Sequence, residues 1–235
     1  SSQSRVYSEA AYSFAKPGPD GKLRSDEYLN TRWAVSMDDL PIETLFDETS
    51  DRAEHSLDVI KPQTGKYPVI IDAEVLGVLF NSQISHLSSA SSYNGLPFVK
   101  VGDELIAGAN GDLLTIALDP SLKFGADTAA ISEQGVPQKP LRLVEHNRVV
   151  ANTTDKRHAD YLSISPSVTR GDVVVEAGTH TYKDLTRLAP RVLEILQFSG
   201  LFVDENSGTF GSEIRLARLY DNYRGTVTYP KGGSL

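Results

Sequence analysis

Two hydrophobic periods divide this chain into a short front section and a longer, strand-rich remainder. Val6 to Ala15 and Thr31 to Met37 alternate apolar and polar residues with the period of two expected of half-buried strands. The polar stretch Lys16 to Tyr28, holding Pro17, Gly18, Pro19 and Gly21, reads as the loop between them. Past it the period lengthens: Ile42, Leu45, Phe46, Ala53 and Leu57 recur at helical spacing, which predicts a helix capped by Asp39, starting near Pro41 and ended by Lys61-Pro62. Gln63 to Lys66 is the best linker. Tyr67 to Ile71 then predicts a short strand feeding a helix from the N-cap candidate Asp72 to about Leu87, with Val75, Leu79 and Ile84 inward.

The rest returns to short strand-like runs. Ser88 to Ser92 reads as a Ser-rich loop, and Leu141 to Glu145 and Arg148 to Asn152 flank His146-Asn147 as a hairpin candidate. Asp172 to Glu176 is a further strand and Tyr182 to Leu188 a short helix; Arg191 to Phe198, Glu213 to Tyr220 and Gly225 to Tyr229 complete an antiparallel set, with Asn206-Ser207-Gly208 as a turn. Spacings between these candidates are hairpin-length, too short for parallel crossovers. The expected fold class is therefore α+β: a small α/β N-terminal portion (residues 1–62), the end of an N-terminal domain, followed by a larger, mainly antiparallel β domain (67–235) with one packed helix. A doubly wound parallel sheet is the outcome least expected.

Composition narrows the function classes. A chain of 235 residues, 40% hydrophobic, can bury one large core or two small ones. Its net charge of −8 opposes a phosphate-binding face, and no basic cluster longer than Asp155-Lys156-Arg157-His158 stands out, so no nucleic-acid partner is expected. No apolar run approaches the ~18–20 residues of a membrane span, so no membrane partner is expected either. Zero cysteines exclude disulfides and thiolate chemistry and fit a reducing cytoplasm. The start at Ser1 without methionine and the end on Gly232-Gly233-Ser234-Leu235 read as those of a fragment, so a leader is not judged.

The chemistry centres on the Asp72 helix. A helix can offer two imidazoles about a turn apart to one Zn²⁺, with a carboxylate beside them to activate the bound water. The positions for such a set hold Asn81, Ser82 and His86 here, and only His86 is a good zinc ligand. His55, His146, His158 and His180 are scattered and lack ligand spacing. Ser88, Ser89, Ser91 and Ser92 invite a serine nucleophile with His86 as base, but no Gly-x-Ser-x-Gly elbow accompanies them. Asp119, Asp127, Glu133 and Asp155 could supply a carboxylate pair, although with 31 acidic residues such neighbours arise by chance, and Asp119-Pro120 reads as a turn opener. The glycine-rich GANGD (Gly108 to Asp112) and GTFGS (Gly208 to Ser212) lack the order of a phosphate cradle and read as hairpin turns.

Together with the segments on its C-terminal side, the helix resembles the TldD/PmbA family, whose metal-bearing members carry His-Glu-x-x-x-His there and are zinc-dependent peptidases. In register, Asn81 stands for the first ligand histidine, Ser82 for the catalytic glutamate and His86 for the last histidine. The likeness runs on through Gly111 to Pro120, Ser132 to Val149, Val173 to Leu185 and Arg191 to Leu235, although the family's Asp-Asp-Pro is Leu118-Asp119-Pro120 here and its Thr-Gly-Asn is not recognisable near Ser163 to Ser167. The resemblance implies a catalytically silent, cytoplasmic subunit of the metal-free TldE/PmbA type, with no cofactor of its own and zinc in a partner subunit. Its expected partners are a metal-bearing TldD-type paralogue or a second copy of itself, and an unfolded or extended peptide held along exposed strand edges. Two alternatives stand beside this reading: a homo-oligomeric peptide-binding protein without hydrolysis, and a metallopeptidase whose site is rebuilt from His86 with His158 or His180.

Overall fold

Strands and helices follow one another as β1 (Val6–Pro17), β2 (Leu23–Ala34), a 3-10 turn at Met37–Asp39, α1 (Ile42–His55), β3 (Val59–Ile60), β4 (Val69–Ile71), α2 (Ala73–His86), α3 (Ser89–Tyr93), β5 (Ile116–Asp119), β6 (Leu141–Glu145), β7 (Arg148–Val149), α4 (Lys156–Leu162), β8 (Asp172–Val175), α5 (Tyr182–Leu185), β9 (Arg191–Val203), β10 (Phe210–Asp221) and β11 (Thr226–Pro230). The computed structural model describes residues 6–18, 20–34, 36–96, 99–123, 125–204 and 209–234. The fold is α+β, as expected. Its strands form a two-stranded ribbon β1-β2, a sheet of order β3-β11-β10-β9-β4 and a sheet of order β7-β6-β5-β8. The second of these sheets departs from the antiparallel expectation, because β3 runs parallel to β11 and β4 parallel to β9. Both parallel pairs join strands far apart in sequence, a pairing that local spacing does not reveal.

The chain divides into two compact units, one of Ser1–Leu76, His180–Phe202 and Phe210–Leu235, the other of Gly77–Thr179 and Val203–Thr209. In this division the last three strands group with the front section, and the boundary falls inside α2.

In the first unit, β9 is covered on both faces and Val192 to Leu196 are all buried. One face packs Leu193 and Ile195 with Ile214, Ala217 and Leu219 against Tyr67. The other packs Leu196 and Leu216 against Tyr28 of β2 and Ala53 of α1. The loop expected from Lys16 to Tyr28 shrinks to a tight turn before Leu23, because β2 points polar side chains inward. Asp26 pairs with Lys231, Tyr28 is 2% exposed, and Asn30 is buried and accepts from Arg32 Nη1 at 2.7 Å. Asp39 is not the cap of α1. It lies in the 3-10 turn capped by Ser36, and Pro41 starts the helix through its carbonyl, which accepts from Leu45 N–H at 2.8 Å. The buried stripe is Leu45, Thr49 and Ala53, continued by Leu57, while Ile42 and Phe46 are exposed. The helix stops at His55, before Lys61-Pro62, where Ser56 Oγ donates to Ala53 C=O at 2.7 Å and the chain turns into β3.

Glu194 is the one acidic residue in that buried run of β9. Tyr182 Oη donates to its Oε1 at 2.7 Å and Tyr220 Oη to its Oε2 at 2.8 Å, with Arg218 Nη1 at 3.6 Å. The network ties α5 to β9 and β10. Burial first, then the hydrogen bonds with its neighbours, pushes the Tyr220 phenol above its ordinary value; burial is also the leading cause of the rise at Tyr182.

In the second unit, Leu87, Ile116, Leu118, Leu143, Val144 and Val149 form the core, with Phe80 and Ile84 of α2 packed on it. The predicted hairpin is present: His146 and Asn147 both adopt positive φ (47° and 65°), the geometry of a two-residue turn that favours Asn. Asn147 is also buried and pins a neighbouring loop, accepting from Ile106 N–H at 3.0 Å and donating to Ile106 C=O at 2.8 Å. Strand β7 ends at Val149, short of Asn152. The Ser-rich stretch is a helix rather than a loop, since Ser88 caps α3 by accepting from Ser91 N–H. The packed helix expected in the β-rich part is thus joined by α3 and α4, and the short helix expected from Tyr182 to Leu188 is present as α5, ending at Leu185. Gly171 has no room for a side chain, since a Cβ would lie 2.7 Å from Pro120 N, so the β5–β8 pair closes tightly there. Of the predicted turns, GANGD lies among bends with Gly108 and Gly111 at positive φ, Phe210 to Ser212 of GTFGS lie in β10, and Asn206-Ser207-Gly208 lies outside the described residues. No helix among the described residues is long and apolar enough to cross a membrane.

Leu143 is fully buried, so Leu143→Ala is expected to lower unfolding free energy by about 2–5 kcal/mol in urea titrations. Leu23, 71% exposed, should change it by less than about 0.5 kcal/mol when replaced by Ala. A second test concerns pH. The two raised phenols hold their protons to higher pH in the folded chain than in the unfolded one, so their contribution is full below about pH 10 and declines as pH rises above it. Tyr220→Phe should flatten the alkaline decline of the urea midpoint; an unchanged slope would show that the network does not control it.

Candidate functional site

The candidate helix begins at a firm corner. At Asp72 the peptide N–H donates to Ile195 C=O at 3.0 Å, the carboxylate accepts from Arg52 Nη2 at 3.0 Å, and the carbonyl accepts from Leu76 N–H at 2.9 Å. Asp72 therefore holds the predicted cap position, with its side chain spent on the ion pair. Val75, Leu79 and Ile84 are half-buried, and the helix ends on His86, which is 5% exposed.

Successive α-helical residues are rotated by about 100°, so Ser82 and His86, four apart, share a side, while Asn81 is turned away from both. Burial agrees: Asn81 is exposed, Ser82 half-buried and His86 buried. Ser82 Oγ is enclosed with no hydrogen-bond partner among the described residues. The serines after α2 are all engaged away from His86. Ser88 Oγ donates to Ser85 C=O at 2.9 Å, Ser89 Oγ lies 2.6 Å from Thr154 Oγ1, Ser91 Oγ donates to Ser85 C=O at 3.3 Å, and Ser92 Oγ accepts from Asn152 Nδ2 at 3.2 Å. The serine nucleophile, set aside for want of an elbow, gains no support from these contacts.

The remaining histidines and carboxylates have local duties. His55 stacks on Tyr229 with ring centroids 4.0 Å apart, and His146 forms the hairpin turn. Asp119 accepts from Ser121 N–H at 2.8 Å, which makes it the expected turn opener, and Asp127 pairs with Arg170 at 2.6 Å. Asp155 caps α4 and sits 2.6 Å from His158 Nδ1. Burial alone would raise the Asp155 carboxyl, but hydrogen bonds from the His158 backbone and ring outweigh it and hold it below the usual range. Sequence reading missed this pair and its flanking rings, Tyr93 at 5.8 Å and Tyr161 at 5.9 Å from His158. The Asp-x-x-His spacing, with Asp at an N-cap, was the signal that could have found it.

A sequence model of the PmbA/TldA metallopeptidase C-terminal domain matches residues 64–231. The chain belongs to this metallopeptidase family. A zinc metalloprotease TldD homolog of Saccharolobus solfataricus is 25% identical over 154 residues, 63% of this chain and 33% of that protein. Among solved structures, TldE from Thermococcus kodakarensis superposes with TM-score 0.79 at 14% identity, covering 97% of this chain and 53% of its own. A Bacteroides thetaiotaomicron protein solved as a candidate modulator of DNA gyrase gives TM-score 0.76 at 18% identity, covering 97% and 52%. The chain thus spans a third of the curated relative and about half of the solved ones. At these identities the solved structures establish the fold.

The α2 residues do not fit zinc. In the register that the family resemblance implies, an amide, a hydroxyl and one buried imidazole stand for two imidazoles and a carboxylate, and catalytic zinc takes three protein ligands. Among the described residues no group of three His, Asp or Glu side chains that could hold a metal ion is found.

Ser82→Ala removes an enclosed hydroxyl that has no partner among the described residues, so it should leave stability unchanged or raise it by up to about 1 kcal/mol, read as a higher urea midpoint. A loss above that size would mean that the hydroxyl is bonded in solution.

Proposed function

We propose that this chain is part of a catalytically silent subunit of a TldD/PmbA-type peptidase assembly, working in proteolysis or peptide maturation in the cytoplasm. Its partner is a metal-bearing TldD-type paralogue, and its share of the work is to help enclose and hold an extended peptide. The observation that carries the reading is the chemistry of α2: in the register implied by the family resemblance, exposed Asn81 and half-buried Ser82 stand for a ligand histidine and a general base. A hydroxyl cannot act as a base near neutral pH without a partner to take its proton, and Ser82 has none among the described residues. Peptide holding does not need those groups. Main-chain bonding at a strand edge binds extended segments with little dependence on sequence.

The test is affinity purification of the full-length protein from its native cells, with mass spectrometry and metal analysis of what co-purifies. The expected result is a stoichiometric paralogue with an intact His-Glu-x-x-x-His, zinc that follows that paralogue, and peptidase activity in the pair but not in this protein alone. His86→Ala should leave the zinc content of the pair unchanged. Recovery of this protein only with itself, binding peptide without cleaving it, would replace the proposal with a homo-oligomeric binder. Stoichiometric zinc and hydrolysis from this protein alone would overturn it.

A further inference from the structure

The segment from β3 to β4 leaves one edge of the five-stranded sheet and rejoins it at the other, because β3 pairs with β11 while β4 pairs with β9. Ile60, Pro62, Gln63 and Tyr67 of this strap close over a cavity of about 230 Å³. Its floor comes from alternate residues of adjacent strands, which a pleated sheet points to one face. β9 supplies Arg191 and Leu193, and β10 supplies Leu219 and Asp221. β11 supplies Thr226 and Thr228, following Arg224 in the turn; the register Leu219↔Thr228 and Asp221↔Thr226 sets the rows side by side. One end of the cavity is apolar, walled by Leu193, Leu219, Ile60 and Pro62. The other gathers Arg191, Arg224 and Asp221.

The charge at that end is unbalanced. Among the described residues Arg191 makes only long contacts, Nη1 at 3.4 Å from Gln63 Oε1 and Nε at 3.9 Å from Asp221 Oδ2. The Arg224 side chain makes no ion pair or hydrogen bond with the described residues, and Asp221 Oδ1 already accepts from the Arg224 backbone N–H at 3.0 Å. Two guanidiniums with unused donors face one partly committed carboxylate, in a chain whose net charge is −8. Guanidinium groups pair with carboxylates through parallel, charge-assisted hydrogen bonds. The volume falls below the about 300–1,000 Å³ of pockets that take drug-sized ligands, so it suits a single residue rather than a longer segment.

We propose that this cavity binds a small amphipathic carboxylate, with the anionic head between Arg191 and Arg224 and an apolar side chain against Leu193 and Leu219. The head is the α-carboxylate of a free amino acid or of a peptide C-terminus. This assignment does not depend on the reading of α2, and its test needs no partner protein.

The experiment is isothermal titration of the wild-type chain with N-acetyl-leucine, N-acetyl-leucinamide, free leucine and a tripeptide ending in leucine. N-acetyl-leucine should bind, and the amide, identical except for the charge, should bind about tenfold more weakly or worse. Binding of the tripeptide and N-acetyl-leucine assigns the site to peptide C-termini, whereas binding of free leucine alone assigns it to amino acids. Arg191→Gln with Arg224→Gln should abolish the difference between acid and amide while leaving the urea midpoint close to wild type. Equal binding of acid and amide to the wild-type chain, or no binding of any of the four probes at millimolar concentration, overturns the proposal even if the variant fails to fold.

Discussion

The first unit is organised around one guanidinium. Arg52, on α1, donates through Nη2 to the Asp72 carboxylate at 3.0 Å and through Nη1 to Tyr28 Oη at 2.9 Å, and it lies 5.7 Å from the centre of the Tyr28 ring. Tyr28 Oη in turn reaches Leu196 C=O at 3.4 Å. Helix α1, strands β2 and β9, and the corner from which α2 departs therefore meet at a single ion. The Arg52 and Asp72 side chains are only 11% and 17% exposed, so neither can recover its lost hydration alone. Removing one partner from such a pair strands the other at a cost of about 3–5 kcal/mol, a large part of the stability of an ordinary domain. The corner is held for a physical reason that does not involve the chemistry farther along α2.

What the sequence disclosed depends on which residues carried the pattern. Helix α2, the His146-Asn147 hairpin and the last strands were legible because apolar residues or turn formers mark them at the right period. The end of β2 was legible within the strand read from Thr31 to Met37, but its first part was hidden because Asp26, Tyr28 and Asn30 face inward, so the buried face there is written in polar letters. α3 was hidden for a related reason: serine disfavours helix interiors, yet Ser88 is a strong cap, and five residues suffice once that cap is made. The parallel pairs β3–β11 and β4–β9 were beyond local reading altogether, since each joins strands that only the folded sheet brings together. At the candidate site, the identities of Asn81, Ser82 and His86 could be read directly. Their contrast in exposure could not, because it depends on which side of α2 meets the core.

That contrast shows why fold and chemistry must be argued separately. A TM-score of 0.79 at 14% identity means that the backbone tolerates replacement of most side chains. Such tolerance is expected where packing asks only for apolar volume at the right places. Metal chemistry asks for much more. An amide and a hydroxyl in place of an imidazole and a carboxylate would remove a ligand set and a base together, whereas a helix capped at Asp72 that packs Phe80 and Ile84 on its core asks nothing of Asn81 or Ser82. A scaffold can persist without a reaction, so function is argued from sites, and surfaces and cavities away from α2 count among them.

The strap cavity is such a place, and its position within the fold bears on its role. Residues on loops drift with the loop, but the floor here belongs to β9, β10 and β11, the strands whose other face is filled by Tyr28, Leu196 and Leu216. Core packing on one face thus fixes the spacing of groups on the opposite face, which is the preorganisation a small ligand requires if it is to bind without ordering its own site. Electrostatics point the same way. Arg191 and Arg224 line the same recess, and Asp221 is the one carboxylate in its lining, so a bound carboxylate would supply a further acceptor for their donors. In an acidic protein, a cationic recess with low-dielectric walls also concentrates the local field, drawing in anions that the rest of the surface repels.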